Sequence, residues 1–231
     1  MVFGYDDTLD LLDLSDLGRV AEPQPSMNST LPLICWYPQG GHYVNLAGDY
    51  DYLEMPYYLS QDFENTGRLI HPTPKEILDA YITPLFLEKA KLNDLPVPNF
   101  YLTNGYFEAP VVIDPINPYI IKSRTVLKAG REASTARSMT RNHTYAMCCQ
   151  EIPKGAKIVH FRSVLGWCYT KRFQAASLAI WERYHIPLAK VRMFALPDGT
   201  LLFSDLGPLP FADLGANERH YLDSKVQWQK K

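Results

Sequence analysis

The feature of this sequence that most constrains the fold is a hairpin signal near its carboxyl end. Two apolar runs, residues 191–196 and 201–204, flank the turn Pro197-Asp198-Gly199. Such a turn between two runs of strand length is typical of adjacent antiparallel strands. A second hairpin is predicted where residues 166–170 follow the run 158–164 after a tight turn. Other runs predicted as strands are residues 31–37, 100–103, 111–113, 119–122 and 144–149.

Two helical stretches are predicted among these strands. Thr73 can cap a helix that begins near Pro74, and Glu76 is placed to complete a capping box. Apolar residues then recur at helical spacing as far as Leu92, and Pro84 predicts a break or kink inside this stretch. Residues 173–184 form the second stretch. The sequence therefore predicts an α/β protein of the α+β kind, in which helices accompany antiparallel sheets.

Composition narrows the class of protein further. The chain has 231 residues, 46% hydrophobic and 21% charged, which suits one large or two small globular domains. A net charge of -2 excludes binding to nucleic acid or membranes by bulk charge. Four cysteines without a CxxC spacing indicate free thiols in a reducing compartment. Without a signal pattern or an apolar run of bilayer length, we expect a cytoplasmic protein that does not contact the membrane.

Charge is unevenly distributed along the chain. Residues 1–30 are acidic and then polar, and their leucines fit a short amphipathic helix or a docking peptide. Residues 122–141 are basic, with Glu132 as the only acid. These segments are either solvated surfaces of opposite sign or, for the basic one, a loop that faces phosphate. A nucleic-acid-binding module is a further alternative, although Tyr145 is the only aromatic residue close to the basic segment.

Four motifs occur in a definite order along the last two-thirds of the chain. They are LPVPNFYLT (95–103), PYIIKS (118–123), MCCQEIPKGAKIVHFRSVLG (147–166) and RFQAASLAIWERYHIPLAKVRMFALPDGTLLFSDLGPLP (172–210). This order resembles the ATP-grasp superfamily, in its branch of RimK-like glutamate ligases. The resemblance implies an ATP-grasp-like fold with two subdomains of antiparallel sheets around a nucleotide-sized cleft, and here a shortened N-terminal part.

The resemblance also implies a nucleotide site. Lys122 matches the lysine that contacts nucleotide phosphates, and Gln150-Glu151-Ile152 match the hinge that offers backbone donors and acceptors to adenine. Arg172 falls where the family has a basic residue after the hairpin. The implied cofactors are ATP and magnesium. The implied reaction transfers the γ-phosphoryl group of ATP to a carboxylate, and an amine then displaces the phosphate.

The sequence departs from the family at the metal positions. Arg192 stands where the family has an aspartate, and an arginine cannot ligate magnesium and repels it. Gly207 replaces an asparagine, so Asp205 is the one remaining metal ligand. Thr83 falls where the first phosphate-contacting lysine is expected. Arg192 can instead contact phosphate directly, because its guanidinium binds phosphate through two nitrogens.

We therefore expect a divergent, degenerate ATP-grasp protein with a nucleotide-binding cleft. Its role would be structural or regulatory, through a protein partner or a second copy. The alternative is an active ATP-dependent carboxylate–amine ligase for a small-molecule carboxylate or amine, with Arg172 and Arg192 as catalytic residues. The expected divisions are an acidic segment (1–30), a shortened pre-ATP-grasp region (31–75), an N subdomain (76–149), a C subdomain (150–215) and a C-terminal tail (216–231).

Overall fold

The computed structural model describes residues 33–117, 120 and 122–228. The segment predicted for residues 1–30 lies outside them. The helices are α1 (Met55–Asn65), α2 (Pro74–Tyr81), α3 (Thr83–Leu92), α4 (Glu132–Met139), α5 (Gln174–Tyr184) and α6 (Ala216–Asp223). The strands are β1 (Ile34–Tyr37), β2 (His42–Asn45), β3 (Ile70–His71), β4 (Phe100–Thr103), β5 (Val111–Pro115), β6 (Arg124–Val126), β7 (Met147–Glu151), β8 (Lys157–Val164), β9 (Leu188–Ala195), β10 (Leu201–Pro208) and β11 (Gln227–Trp228).

Sheet 1 contains its strands in the order β11-β1-β2-β3. Strand β1 is antiparallel to β2 and to β11, whereas β2 and β3 are parallel. Gly41 permits the tight β1–β2 turn, because it takes a φ of 65° while its N–H donates to the Tyr37 carbonyl at 3.0 Å. Through β11, the segment predicted as a C-terminal tail contributes a helix and a strand to the fold.

Sheet 2 contains four antiparallel strands in the order β4-β7-β5-β6. On the central strand β7, Cys148 and Cys149 point to opposite faces, as the alternation of a strand requires. Cys149 packs with Ala136 and Met139 of α4. Cys148 packs on the other face in a core that includes Phe203 of β10. All four cysteines are free and buried.

Sheet 3 is antiparallel, with the order β10-β9-β8. The predicted hairpin joins β9 to β10: Gly199 has a φ of 91°, and its N–H donates to the Leu196 carbonyl at 3.0 Å. The register of β10 shifts between Phe203 and Asp205, so Ser204 forms a bulge. Helix α5 packs against this sheet through residues such as Ile180.

The helix predicted after Thr73 has the expected start and the expected break. Thr73 Oγ1 accepts from the Glu76 N–H at 3.2 Å, while a Glu76 carboxylate oxygen accepts from the Thr73 N–H at 2.7 Å. Ile82 separates α2 from α3, and Pro84 lies in the first turn of α3, where a missing N–H costs nothing. The prediction of an α+β fold with antiparallel sheets is confirmed.

One predicted strand is wrong, and another lies partly outside the described residues. Residues 166–170 form no strand, because the positive φ angles of Leu165 (46°) and Gly166 (78°) reverse the chain toward a 3-10 helix (Lys171–Phe173) and α5. One bridge, between Val164 and Trp167, is all that remains of the second hairpin in the described chain. For the strand predicted over residues 119–122, the described residues 120 and 122 lie outside strands.

Three helices were not predicted. Helix α4 occupies part of the basic segment, for which a loop facing phosphate was one of the two alternatives, and α1 and α6 also lack a prediction. Residues 32–231 form one unit, so the predicted boundaries within it stay predictions. In the part of the chain that the structure describes, no helix combines the length and apolarity needed to cross a bilayer.

Candidate functional site

A cleft of about 590 Å³ lies between the α2–α3 pair and the ends of β5 and β10. A volume of this size suits a small organic ligand. Its wall includes Thr83, Asp114, Asp205 and Gly207. It is lined by five carboxylates and, among the described residues, by no lysine or arginine; the carboxylates are Asp49, Asp51, Glu54, Asp114 and Asp205. The lining therefore favours cations over anions.

Behind this wall, Arg192 of β9 ties sheet 3 to sheet 2. Its Nη2 donates to Asp114 Oδ2 at 2.7 Å, its Nη1 to Ser123 Oγ at 3.0 Å and its Nε to Ser204 Oγ at 2.9 Å. Its Nη1 also lies 3.8 Å from Asp205 Oδ2. The side chains of Arg192 and Asp114 are only 7% and 5% exposed. Because both charges are removed from water, each needs the other.

Gln150 completes this buried network from the central strand of sheet 2. Its Nε2 donates to Asp114 Oδ2 at 2.7 Å and to the Ser204 carbonyl at 2.9 Å. Both partners are acceptors, so the orientation of the amide is fixed. The β10 bulge is what leaves the Ser204 carbonyl available. Gln150 Oε1 is buried and has no hydrogen-bond partner within the described residues.

Asp205 faces both the cleft and the buried network, with its side chain 27% exposed. Thr83 Oγ1 donates to Asp205 Oδ1 at 3.0 Å. Burial, followed by the charge of Asp114, raises the pKa of Asp205 to about 6, even though Arg192 and the Thr83 hydroxyl favour the carboxylate. Burial alone would lower the pKa of Arg192, but Asp205 and Asp114 outweigh it and raise that pKa. The guanidinium therefore stays charged between two carboxylates.

The structure brings some of the predicted site residues together and leaves others apart. Arg192, Asp205 and Gln150 belong to one network, and Lys122 is exposed beside its member Ser123. Arg172 lies on the 3-10 helix before α5, exposed, with its guanidinium 5.7 Å from the ring centroid of Phe173. Its guanidinium contacts that ring and none of the side chains that hold Arg192.

The predicted hinge uses its amide protons inside the protein. The Glu151 N–H donates to the Asn99 carbonyl at 2.9 Å, and the Ile152 N–H donates to the Pro110 carbonyl at 3.1 Å. The next residue, Pro153, has no N–H. A second cleft of about 500 Å³ lies beside this segment, lined by Tyr101, Tyr106, Glu108, Ala109, Pro110, Glu151 and Ile152. A ligand there meets no free amide proton at residues 151–153.

Sequence reasoning missed three members of the network: Asp114, Ser123 and Ser204. For Asp114 a signal exists, because an acid directly after the apolar run VVI is unusual in a buried strand. The two serines carry no such signal. Ser204 joins the network because it lies in the β10 bulge. Ser123, the residue before β6, joins it because it lies next to Arg192.

Residues 38–225 match the family described as RimK-like ATPgrasp N-terminal domain. The chain belongs to this family. No curated protein matches the sequence. As a member of the RimK-like ATP-grasp family, the chain has the fold of ATP-dependent ligases, and this confirms the resemblance drawn from the motifs.

Solved structures of ATP-grasp proteins share the fold at low sequence identity. A RimK-domain ATP-grasp protein from Sphaerobacter thermophilus has a TM-score of 0.53 at 18% identity over 72% of each chain. The D-alanine-D-alanine ligase from Coxiella burnetii has a TM-score of 0.51 at 8% identity, over 78% of this chain and 60% of that one. The ATP-grasp ligase PsnB, complexed with minimal precursor, Mg and ADP, has a TM-score of 0.51 at 13% identity, over 74% of this chain and 68% of that one. The chain spans 59–68% of the length of the PsnB chains it resembles.

The cleft residues do not fit a magnesium ion. Magnesium requires oxygen ligands in near-octahedral geometry. Of the carboxylates closest to Arg192, Asp114 already accepts from the guanidinium and from Gln150. Gly207 offers no side-chain oxygen. The guanidinium occupies the position between Asp114 and Asp205 that a cation would need.

Proposed function

We propose that this chain is a degenerate ATP-grasp domain that keeps the cleft but has lost magnesium-dependent ligation, and that it acts by binding rather than by catalysis. The observation that carries the proposal is the buried position of Arg192 between Asp114 and Asp205. A fixed cation built into the fold takes the place of an exchangeable one.

The positive charge of Arg192 opposes the binding of a magnesium ion. Two unit charges 4 Å apart interact by about 4 kcal/mol at an effective dielectric constant of 20, so the guanidinium opposes a divalent ion at that distance by about 8 kcal/mol and cancels the attraction of one carboxylate. If a magnesium ion displaced the Arg192 side chain, the guanidinium would either stay buried without its carboxylate partners or have to leave a well-packed site. Neither route gives a magnesium site of useful affinity.

Metal-free nucleotide binding is the ligand role that membership of the family supports, against the negative charge of the five carboxylates in the cleft. Lys122 and Arg124 are exposed cations on either side of Ser123, which lines the cleft, and Lys122 is the one that the family resemblance assigns to the contact with phosphate. Because five carboxylates also line this cleft, we expect ADP to bind more tightly than ATP, which carries one more negative charge.

The proposed action is through contact with a protein partner. Exposed apolar side chains lie together just before and within the start of α1, and they include Tyr52 (41% exposed), Leu53 (62%) and Met55 (69%). Tyr52 and Leu53 also line the cleft, so a partner bound here would sense its occupancy. Sedimentation velocity of the purified chain distinguishes a second copy from a different partner. If the wild type self-associates through this surface, Leu53→Glu should make it monomeric. If the wild type is already monomeric, the partner is a different protein.

Thermal unfolding with nucleotides tests the central proposal. We expect ADP in EDTA to raise the Tm, Lys122→Ala to abolish that shift, and magnesium to add less than about 1 °C. For comparison, about 1 kcal/mol of binding free energy moves the Tm of a domain of this size by about 2–4 °C. The outcome that favours the alternative, an active ligase, is magnesium-dependent phosphate release from ATP.

A gain-of-function variant provides the matched control. The combined substitutions Arg192→Asp and Gly207→Asn restore oxygen ligands beside Asp205, and a side chain at position 207 has open space within 4 Å of its Cβ. We expect this variant to be unstable in EDTA and to gain stability with magnesium, unlike the wild type. Equal responses of the two proteins to magnesium would contradict the role assigned to Arg192.

A further inference from the structure

Two imidazoles, one of them 109 positions away in the sequence, meet around the carboxylate of Glu76, on the far side of α2 from its contacts with the cleft. His71 Nδ1 lies 2.8 Å from Glu76 Oε2, and His185 Nδ1 lies 2.7 Å from Glu76 Oε1. The two imidazole rings stack, with centroids 4.3 Å apart. The ligand atoms of all three residues lie within 4.8 Å of one another. We call these residues the histidine cluster.

The fold holds each member of the histidine cluster in place. His71 ends β3, and Glu76 is fixed in the first turn of α2 by the capping box with Thr73. His185 follows α5 in a left-handed conformation, with a φ of 53°. Each carboxylate oxygen of Glu76 therefore faces one imidazole nitrogen.

A fourth imidazole adds an independent observation. His42 is 9% exposed, and its Nε2 is buried without a hydrogen-bond partner among the described residues. Its ring centroid lies 4.6 Å from that of His71. The ring lies against the backbone of Gly40, where an added Cβ would be 2.4 Å from His42 Nδ1. A buried nitrogen without a partner costs about 1–3 kcal/mol, so a ligand that supplies its hydrogen bond would stabilise the fold.

We propose that His71, Glu76 and His185 form a binding site for a transition-metal ion of the zinc class, and that His42 accepts a hydrogen bond from the water that completes the metal's coordination. Two imidazoles and one carboxylate with an open fourth position suit zinc. Nitrogen ligands disfavour magnesium and calcium. The site is separate from the proposed nucleotide cleft and does not depend on it.

The geometry is close to what coordination needs. Zinc–nitrogen and zinc–oxygen bonds of about 2.0–2.1 Å at tetrahedral angles place neighbouring ligand atoms about 3.3 Å apart. The N–O distances of 2.7 and 2.8 Å in the cluster would lengthen by about 0.5–0.6 Å. His185 is 40% exposed and gives the ion a route from solvent, whereas His71 and Glu76 are 13% and 15% exposed.

Trp181 provides a reporter for this site. Its ring centroid lies 6.4 Å from that of His71 and 6.2 Å from that of His185. Cobalt(II), which takes zinc sites and quenches nearby indoles, should therefore lower the fluorescence of the full chain. The quenching should be lost in Trp181→Phe.

The test is a titration of the full chain, purified without a histidine tag and stripped with EDTA, with Zn²⁺ by calorimetry and with Co²⁺ by visible absorption. We expect one ion per chain and the absorption bands of a tetrahedral cobalt site. His71→Ala and Glu76→Gln should each weaken binding by at least about 100-fold, and His42→Ala by about 10-fold. Glu76→Gln keeps an oxygen for the capping box, and His185→Asn keeps a residue that tolerates positive φ.

The matched control is His220→Ala, which removes an exposed histidine of α6 outside the cluster and should leave the affinity unchanged. Circular dichroism of each variant confirms that it is folded. The proposal is overturned if the wild type binds no zinc at millimolar concentrations. It is equally overturned if folded His185→Asn binds zinc as tightly as the wild type.

Discussion

Replacement of Arg192 by methionine tests the buried network most directly. Methionine fills much of the same space but carries no charge and donates no hydrogen bond. The substitution removes three hydrogen bonds, to Asp114, Ser123 and Ser204, and the charge that offsets two carboxylates. Loss of one partner of a buried ion pair typically costs about 3–5 kcal/mol. Since domains are stable by only about 5–15 kcal/mol, we expect a folded but clearly weakened protein.

The size of this loss should depend on pH. At pH 8 the variant holds Asp114 and Asp205 as neighbouring carboxylates without a cation. The pKa of Asp205 is already about 6 in the wild type, and Arg192 is among the groups that lower it. Without the guanidinium the pKa of Asp205 rises further, so the variant bears the repulsion at pH 8, whereas at pH 5 Asp205 is protonated in both folded proteins. We therefore expect the loss at pH 5 to be at least about 1 kcal/mol smaller than at pH 8.

The measurement is urea unfolding followed by far-UV circular dichroism at both pH values. The control is the double variant that adds Asp114→Asn, because it removes the buried charge left without a partner. The double variant should be more stable at pH 8 than additivity of the two single variants predicts, by at least about 1 kcal/mol. A loss below about 1 kcal/mol for Arg192→Met, or an equal loss at both pH values, would refute the account of the network.

Three other changes have defined outcomes. The pKa of Asp205, about 6, lies above the ordinary value near 3.9, so the wild type loses stability as pH rises from about 4 to 6. Asp205→Asn should therefore be more stable than the wild type at pH 8 by up to about 3 kcal/mol, and as stable as the wild type at pH 4. Urea unfolding at both pH values measures this difference. Gly48→Ala should cost more than about 2 kcal/mol, because its Cβ would lie 1.8 Å from the Leu209 carbonyl oxygen at a φ of 80°. The control Gly67→Ala, with a φ of 74° and open space, should cost about 1 kcal/mol in the same assay. Tyr184→Phe should lower stability by about 1 kcal/mol in thermal unfolding, since the Tyr184 hydroxyl donates to the Phe86 carbonyl at 2.6 Å.

Local signals in the sequence were sufficient for several elements. The β9–β10 hairpin follows from Pro197-Asp198-Gly199, and the start of α2 follows from Thr73 and Glu76, because turns and caps depend on a few neighbouring residues. The false hairpin strand at residues 166–170 shows the limit of this reasoning. A tight turn after an apolar run predicts a returning strand, but here positive φ at Leu165 and Gly166 sends the chain into α5.

By itself, the sequence determined the family and the α+β class with antiparallel strands, and it predicted that an arginine and a glycine stand at the family's metal positions. These conclusions rest on residue identities and on spacings of a few residues. Only the tertiary structure decided that Arg192 lies against Asp114, 78 positions earlier in the chain, and that His185 meets Glu76, 109 positions away. Contacts at such separations depend on the packing of whole sheets and helices. The residues next to a buried charge in the sequence do not indicate which distant residue will be its partner.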